Sequence, residues 1–184
     1  THNKLKKLFE YEKSWLKVFG QKIFYMPYFN HPDPTVKRKS GFLTPYYKGS
    51  SNLGSSITIP YFYSISDSRD LTFKPRFYLD NNYILQSEYR EAFQKSNLVA
   101  DFSFNRKENT NTHIFAELNG ILSDDTSYEI QVQNVTNDNY LKIHNIKEYT
   151  PLVDNDSSLS SYLKVEKNID ENTNLDGSIK LYED

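Results

Sequence analysis

The sequence predicts an all-β protein, a long antiparallel meander, and three observations predict it. Apolar and polar residues alternate with a period of two over most of the 184 residues. The alternating runs are each about 8–11 residues long and are separated by Asn/Asp/Ser/Gly turns, which is how strands and hairpins read in a sequence. The composition is aromatic rather than aliphatic, with 15 Tyr, 12 Phe and 1 Trp inside a hydrophobic fraction of only 37%. Soluble domains usually carry about 45–50% apolar residues, and disordered chains are poor in aromatics. Neither description fits.

Residues 4–18 could be helical by composition. Their aromatics, and the Gly20 that follows, favour a strand pair that leads into Ile23-Phe24-Tyr25-Met26-Pro27-Tyr28-Phe29. His31-Pro32-Asp33-Pro34 reads as a stiff, extended linker because each proline fixes its own φ and biases the residue before it. A first strand is expected around Phe42-Leu43-Thr44-Pro45 and a second around Ile59-Pro60-Tyr61-Phe62-Tyr63. Then Leu71, Phe73, Pro75, Phe77 and Leu79 alternate with Thr72, Lys74, Arg76 and Tyr78. Tyr83, Leu85 and Tyr89 alternate with Gln86, Glu88 and Arg90, and Leu98, Ala100, Phe102 and Phe104 with Asp101, Ser103 and Asn105. Ile114, Ala116 and Leu118 follow, then Tyr128, Ile130 and Val132. Residues 134–158 are rich in Asn and Asp, contain Pro151, and read as a long loop with short extended pieces such as residues 140–143. The rhythm returns at Leu159, Ser161, Leu163 and Val165 and again at Leu175, Gly177, Ile179 and Leu181.

One hairpin is specific enough to test. With Asp80-Asn81-Asn82 as a three-residue loop, Leu79 faces Tyr83, Phe77 faces Leu85, Arg76 meets Gln86 and Lys74 meets Glu88. Apolar pairs with apolar and cation with anion, and each cross-strand pair contributes roughly 0.2–1 kcal/mol. A two-residue loop would slip the register by one and oppose Phe77 to Gln86.

Alternation alone leaves two architectures open. An antiparallel sheet with one face in solvent predicts much of this pattern. A transmembrane barrel predicts three further details. Full charges occupy mid-strand positions on the polar face (Lys74, Arg76, Glu88, Arg90, Asp101), as a wet lumen permits. Aromatics cluster near strand ends (Tyr61, Tyr63, Tyr78, Tyr83, Tyr89, Phe104), where a membrane-interface girdle would lie. The run lengths match the roughly 9–11 tilted residues that cross a bilayer. No stretch is long and apolar enough for a transmembrane helix. The chain begins at Thr1 without an initiator Met or a leader, and residues 177–183 still read as strand, so it is expected to be an internal piece of a longer protein.

Composition and motifs exclude much else. Lys plus Arg is 22 against 24 Asp plus Glu, a net charge of −2, without the basic excess of a nucleic-acid binder. There are no cysteines and four scattered histidines, so thiolate chemistry and a His-rich metal cage are not expected. No glycine-rich phosphate loop, nucleophile elbow or zinc-protease helix is present, and neither a cofactor nor an enzyme is indicated. Asp124-Asp125 reads as a solvated turn. Lys37-Arg38-Lys39 reads as a solvated charge run before a phosphate site.

The segment Ile23-Phe24-Tyr25-Met26-Pro27-Tyr28-Phe29, followed by Arg38-Lys39-Ser40-Gly41-Phe42-Leu43-Thr44-Pro45, resembles the LptD family of lipopolysaccharide-assembly outer-membrane proteins, the organic solvent tolerance proteins. In that family a "Y-L-P-Y-F" phrase closes a periplasmic jelly roll, and "R-K-S-G-F-L-x-P" opens the barrel. Ile59-Pro60-Tyr61-Phe62-Tyr63 resembles its "P-Y-Y-W", Asp70-Leu71-Thr72-Phe73-Lys74-Pro75-Arg76 its "D-x-T-x-x-P-R", and Asn137-Asp138-Asn139-Tyr140-Leu141 its "S-D-x-x-Y-L" loop.

The resemblance implies residues 1–30 as the end of a periplasmic β-jelly roll, 31–40 as linker, and 41–184 as the opening strands of a large transmembrane β-barrel. It implies transport of lipopolysaccharide into the outer leaflet of a Gram-negative outer membrane. An LptE-like plug lipoprotein would fill the lumen, an LptA-like periplasmic bridge protein would supply the lipid, and outer-membrane lipid would surround the wall. Leu71, Phe73, Phe77, Leu85, Phe102 and Phe104 would then face lipid, and Lys74, Arg76, Glu88, Arg90 and Asp101 the lumen. Pro45 and Pro60 match the family's gate prolines. Each lacks an N–H and deletes a ladder bond, so the two would weaken the seam where the first strand of a closed barrel pairs with the last, and lipid would leave there; an ordinary edge-strand proline that blocks aggregation is the other reading. Pro75 is expected to be a structural feature. The alternative from another class is a soluble or surface-exposed β-rich adhesin or carbohydrate-binding module, its aromatics lining a sugar platform.

Overall fold

The computed structural model describes residues 2–3, 8–18, 20–32, 38–50, 53–80, 82–106, 110–153, 158–170 and 173–183. Among them lie two antiparallel sheets. The smaller holds β1 (His2–Asn3), β2 (Leu8–Val18) and β3 (Gln21–Pro32). β2 and β3 form a hairpin that closes at Val18 opposite Gln21. Gly20 stands in its turn at φ 82°, a left-handed conformation that a residue without Cβ adopts freely. Residues 8–18 are therefore strand, not helix. β3 runs to Pro32, two residues past the expected end of this unit, because His31 and Pro32 still find partners in Phe9 and Leu8. Asp33, Pro34 and Lys37 lie outside the described residues.

The larger sheet contains β4 (Gly41–Phe42), β5 (Tyr46–Ser50), β6 (Gly54–Thr58), β7 (Tyr61–Ser66), β8 (Arg69–Tyr78), β9 (Tyr83–Ala92), β10 (Ser96–Arg106), β11 (Thr110–Ser123), β12 (Thr126–Val135), β13 (Leu159–Asp170) and β14 (Thr173–Glu183). Its spatial order is β5-β6-β8-β9-β10-β11-β12-β13-β14, with β4 and β7 extending β5 and β6 past a break. Neighbours in sequence are neighbours in space, so the fold is a meander; a two-layer Greek key would have put Lys74 and Glu88 on separate sheets.

Two expectations need correction. The β8–β9 hairpin pairs Phe77 with Tyr83, Pro75 with Leu85, Lys74 with Gln86 and Thr72 with Glu88, two residues away from the expected register. The Leu79 amide is drawn to Ser55 O of β6 (3.1 Å) and the Tyr78 amide to Asn82 O (2.9 Å). Asn82 is itself held by Asn105 of β10 (2.7 Å). A shift of two preserves parity, so every side chain keeps its face.

The second correction concerns residues 134–158. Residues 140–143 are not extended: they belong to α1 (Asp138–Ile143), which is followed by a 3₁₀ turn at Ile146–Tyr149. Asn137 caps α1, its Oδ1 accepting from the Asn139 amide at 3.0 Å, as an N-cap side chain does. Tyr140 and Leu141 are both buried, in one core with Tyr78, Ile84, Phe115, Val135, Ile146, Val153 and Leu159. A strand would send successive side chains to opposite faces. A helix turn sends both downward.

Candidate functional site

The pairing registers sort the sheet into two faces. Phe73, Ser87, Phe102 and Ile114 stand opposite one another across four strands, as do Leu71, Tyr89, Ala100 and Ala116, and Pro75, Leu85 and Phe104. Phe77 pairs with Tyr83 on the same face. This face continues through Val132, Ile130, Leu163 and Ile179 and leaves large apolar side chains open, Phe102 at 46% and Ile114 at 55% exposure. Patches of this extent on a protein surface mark contact with something other than water.

The opposite face carries Lys74, Arg76, Glu88, Arg90 and Asp101, and residues 137–153 lie over part of it. The structure brings these five into one network. Arg90 Nε donates to Asp70 Oδ1 at 2.8 Å, and Lys74 Nζ donates to Glu88 Oε2 at 2.7 Å and to Tyr149 O at 2.9 Å. Gln86 Nε2 donates to Asp101 Oδ1 at 2.9 Å. Arg76 donates to His144 O at 2.7 Å and lies 3.7 Å from the centre of the Tyr149 ring. The wet setting expected for this face does not extend to Arg76 and Asp101, which are 3% and 0% exposed. Their desolvation is offset by hydrogen bonds and a ring face. Tyr78 is likewise no girdle residue. It points to this face, buried, its hydroxyl 3.1 Å from His144 Nδ1.

Sequence inspection missed the trio beneath α1. His113 Nε2 lies 2.6 Å from Asp101 Oδ1, His113 Nδ1 lies 2.6 Å from Ser103 Oγ, and Ser103 Oγ lies 2.7 Å from the Tyr140 hydroxyl. With Nε2–H donating to the carboxylate, Nδ1 accepts from Ser103, which accepts from Tyr140; every donor is used. The constellation has the composition of a catalytic triad, but all four side chains are buried. No substrate reaches the hydroxyl, so the trio bolts α1 to the sheet.

Burial pushes the Tyr140 hydroxyl up to about 12, against a small opposing effect of Ser103. A phenol raised above its ordinary value near 10 contributes stability that is complete below pH 10 and lost as pH climbs toward 12. Proteolytic cleavage within residues 136–158 is therefore expected to rise steeply between pH 10 and 12, and Tyr140→Phe should flatten that rise. At the β11–β12 turn, hydroxyls of Ser123 and Thr126 donate to Asp125 and hold its carboxyl below the ordinary range. Asp124-Asp125 is a turn, as expected. Arg38 is not a solvated charge; it pairs with Asp70 and donates to Asp67 O at 2.7 Å.

The prolines define the second part of the site. Gly41 pairs with Phe62, yet Tyr46 pairs with Thr58, so the first strand carries one extra residue across residues 43–45. The second strand keeps a constant register on β8 through the break. This is a β-bulge on the first strand. Leu43 donates to Pro60 O at 2.9 Å, and Ile59 donates to Pro75 O at 3.2 Å. In an antiparallel ladder such pairs exchange two bonds, and each proline withholds the return bond. The bond that Pro60 withholds thus lies between the first and second strands, not at the expected seam of the first strand with the last. Pro75, set aside as a structural feature, extends the weakness to the third. On the apolar face beside the break, Tyr25, Met26, Pro27 and Tyr28 of β3 and Phe42, Ile59, Tyr61, Phe73, Pro75 and Phe77 line a half-open cavity of about 510 Å³.

An antiparallel sheet with an open apolar face, a networked polar face and a proline-weakened pair of strands is the class of wall this fold defines. No family model matches the chain. Among curated proteins it is similar to the LPS-assembly protein LptD of Idiomarina loihiensis, 26% identical over 143 residues, 72% of this chain and 18% of that protein. It is similar to LptD of Ralstonia nicotianae, 38% identical over 84 residues, 46% of this chain and 10% of that protein. LptD of Coxiella burnetii is 40% identical over 74 residues, 40% of this chain and 8% of that protein. The chain thus spans less than a fifth of the length of these relatives.

Proposed function

We propose that this chain is part of an outer-membrane protein that assembles lipopolysaccharide at the surface of a Gram-negative bacterium, a transporter and not an enzyme. Residues 1–32 form the end of a periplasmic jelly roll, 33–40 the linker, and the meander from residue 41 the opening strands of a closed barrel. Leu71, Phe73, Phe77, Leu85, Phe102 and Phe104 face outer-membrane lipid; Lys74, Arg76, Glu88, Arg90 and Asp101 face the lumen that an LptE-like lipoprotein plugs. An LptA-like bridge delivers the lipid to the jelly roll. The observation that carries this reading is the apolar cavity beside the break at Pro45 and Pro60, where acyl chains pass from β3 to the bilayer. The adhesin or carbohydrate-binding alternative is disfavoured by the LptD relatives.

The test is Pro45→Ala with Pro60→Ala in the full-length protein. Alanine at position 60 regains an N–H facing Leu43 O, and alanine at 45 relaxes the bulge. Each net hydrogen bond is worth roughly 0.5–1.5 kcal/mol, and an unmet backbone group is costlier in lipid than in water. The one bond regained at position 60 would disfavour opening by roughly two- to twelvefold. Surface lipopolysaccharide should fall while the barrel still folds and inserts. Normal delivery, or failure of assembly itself, would show the prolines to be structural.

A further inference from the structure

The bulge has a second effect. By adding one residue to the first strand it turns β5 over, so that Tyr46 and Lys48 share a face with Thr58, Ser56 and Arg76. Without it Tyr46 would fall opposite Ile57, on the apolar face. The turned-over residues meet the 3₁₀ turn from a segment a hundred residues further along: Lys48 pairs with Glu148, and the Tyr46 and Tyr149 rings stack at 5.8 Å and 15°. The turn is anchored independently of β5, since Tyr149 O accepts from Lys74 at 2.9 Å and Arg76 lies over the Tyr149 ring at 3.7 Å. It therefore bridges the third strand, which is paired with β9 along its length, to the first strand across the polar face.

We propose that the Ile146–Tyr149 turn is an inner latch. Glu148 and Tyr149 are positioning residues that hold β5 against β6, while β4, on the other side of the bulge, is left outside the clasp. Opening then begins at the β4 end of the first strand and is stopped at Tyr46. This rests on the reading of the proline break as a gate.

Hydrogen exchange by mass spectrometry on the detergent-purified full-length protein tests the latch. Glu148 is exposed, so Glu148→Lys leaves folding intact, and Tyr149→Ala removes the ring. In each, the amides of residues 46–50 should exchange about three- to tenfold faster, with residues 61–66 unchanged. The swap Lys48→Glu with Glu148→Lys should restore the wild-type rate, which a merely structural role for Glu148 would not predict. Unchanged exchange at 46–50 in both single variants, or a swap that fails to restore it, overturns the latch. Failure of the gate reading shows elsewhere, as normal lipopolysaccharide delivery in the double proline variant.

Discussion

Asp101→Ala is expected to destabilise the protein by roughly 2–5 kcal/mol, because it removes the acceptor of two buried donors. Asp101 is completely buried and accepts from Gln86 at 2.9 Å and from His113 at 2.6 Å. Alanine leaves the His113 donor without its acceptor and Gln86 Nε2 with only the longer contact to Tyr149 O at 3.5 Å, and each buried unmet group costs on the order of 1–3 kcal/mol. The loss propagates, because His113 fixes Ser103, and Ser103 fixes the hydroxyl of Tyr140 on α1. Denaturant unfolding of the detergent-solubilised full-length protein would show the lower midpoint, and trypsin would cut within residues 136–158 sooner. Asp101→Asn should cost only about 1 kcal/mol. Gln86 Oε1 is buried without a hydrogen-bond partner among the described residues, so rotating that amide would present an acceptor to the new NH₂. An asparagine variant as damaged as the alanine one would show that the charge, rather than the hydrogen-bond count, holds α1 down.

The two faces were legible because strand parity is carried by every residue: Leu71, Phe73 and Phe77 declare one side, Lys74 and Arg76 the other. The hairpin register was not. A pattern of period two is unchanged by a shift of two, and the choice was made by Asn82 reaching Asn105 and by Leu79 reaching Ser55. The cover over the polar face was concealed by polarity, since a segment rich in Asn and Asp looks like loop. A signal was nevertheless present. Tyr83-Ile84-Leu85 and Ile114-Phe115-Ala116 interrupt the alternation with apolar residues on the polar face, and Ile84 and Phe115 are both completely buried. Two faces covered at the same level require a lid, and Asn137 was available to cap it. The prolines could be read, but the bulge could not; it exists only relative to the register of the second strand.

The apolar face poses the sharpest physical question, and Phe73→Arg answers it. Phe73 lies at the middle of β8, at 38% exposure, with Ser87 opposite and Phe102 beyond. If this face met water, arginine at so open a position would be nearly neutral, within the roughly 0.5 kcal/mol typical of surface changes. In contact with lipid at mid-depth the same substitution costs about 2–4 kcal/mol, and the cost falls toward 0–1 kcal/mol near the interfaces. Phe77, four residues along and one from the end of the strand, supplies the gradient. Folding titrations of the full-length protein into vesicles should show Phe73→Arg strongly impaired and Phe77→Arg mildly so, because arginine near a strand end can extend its guanidinium to the headgroups. Equal, small effects at both positions would place this face in water and remove the membrane from the account of the fold. A large effect at Phe77 with none at Phe73 would invert the depth of the strand, putting the β8–β9 turn at the centre of the bilayer. That turn holds Asp80 and Asn82, polar groups that hydrocarbon does not accommodate. The depth order Phe73 before Phe77 therefore follows from the turn as much as from the phenylalanines.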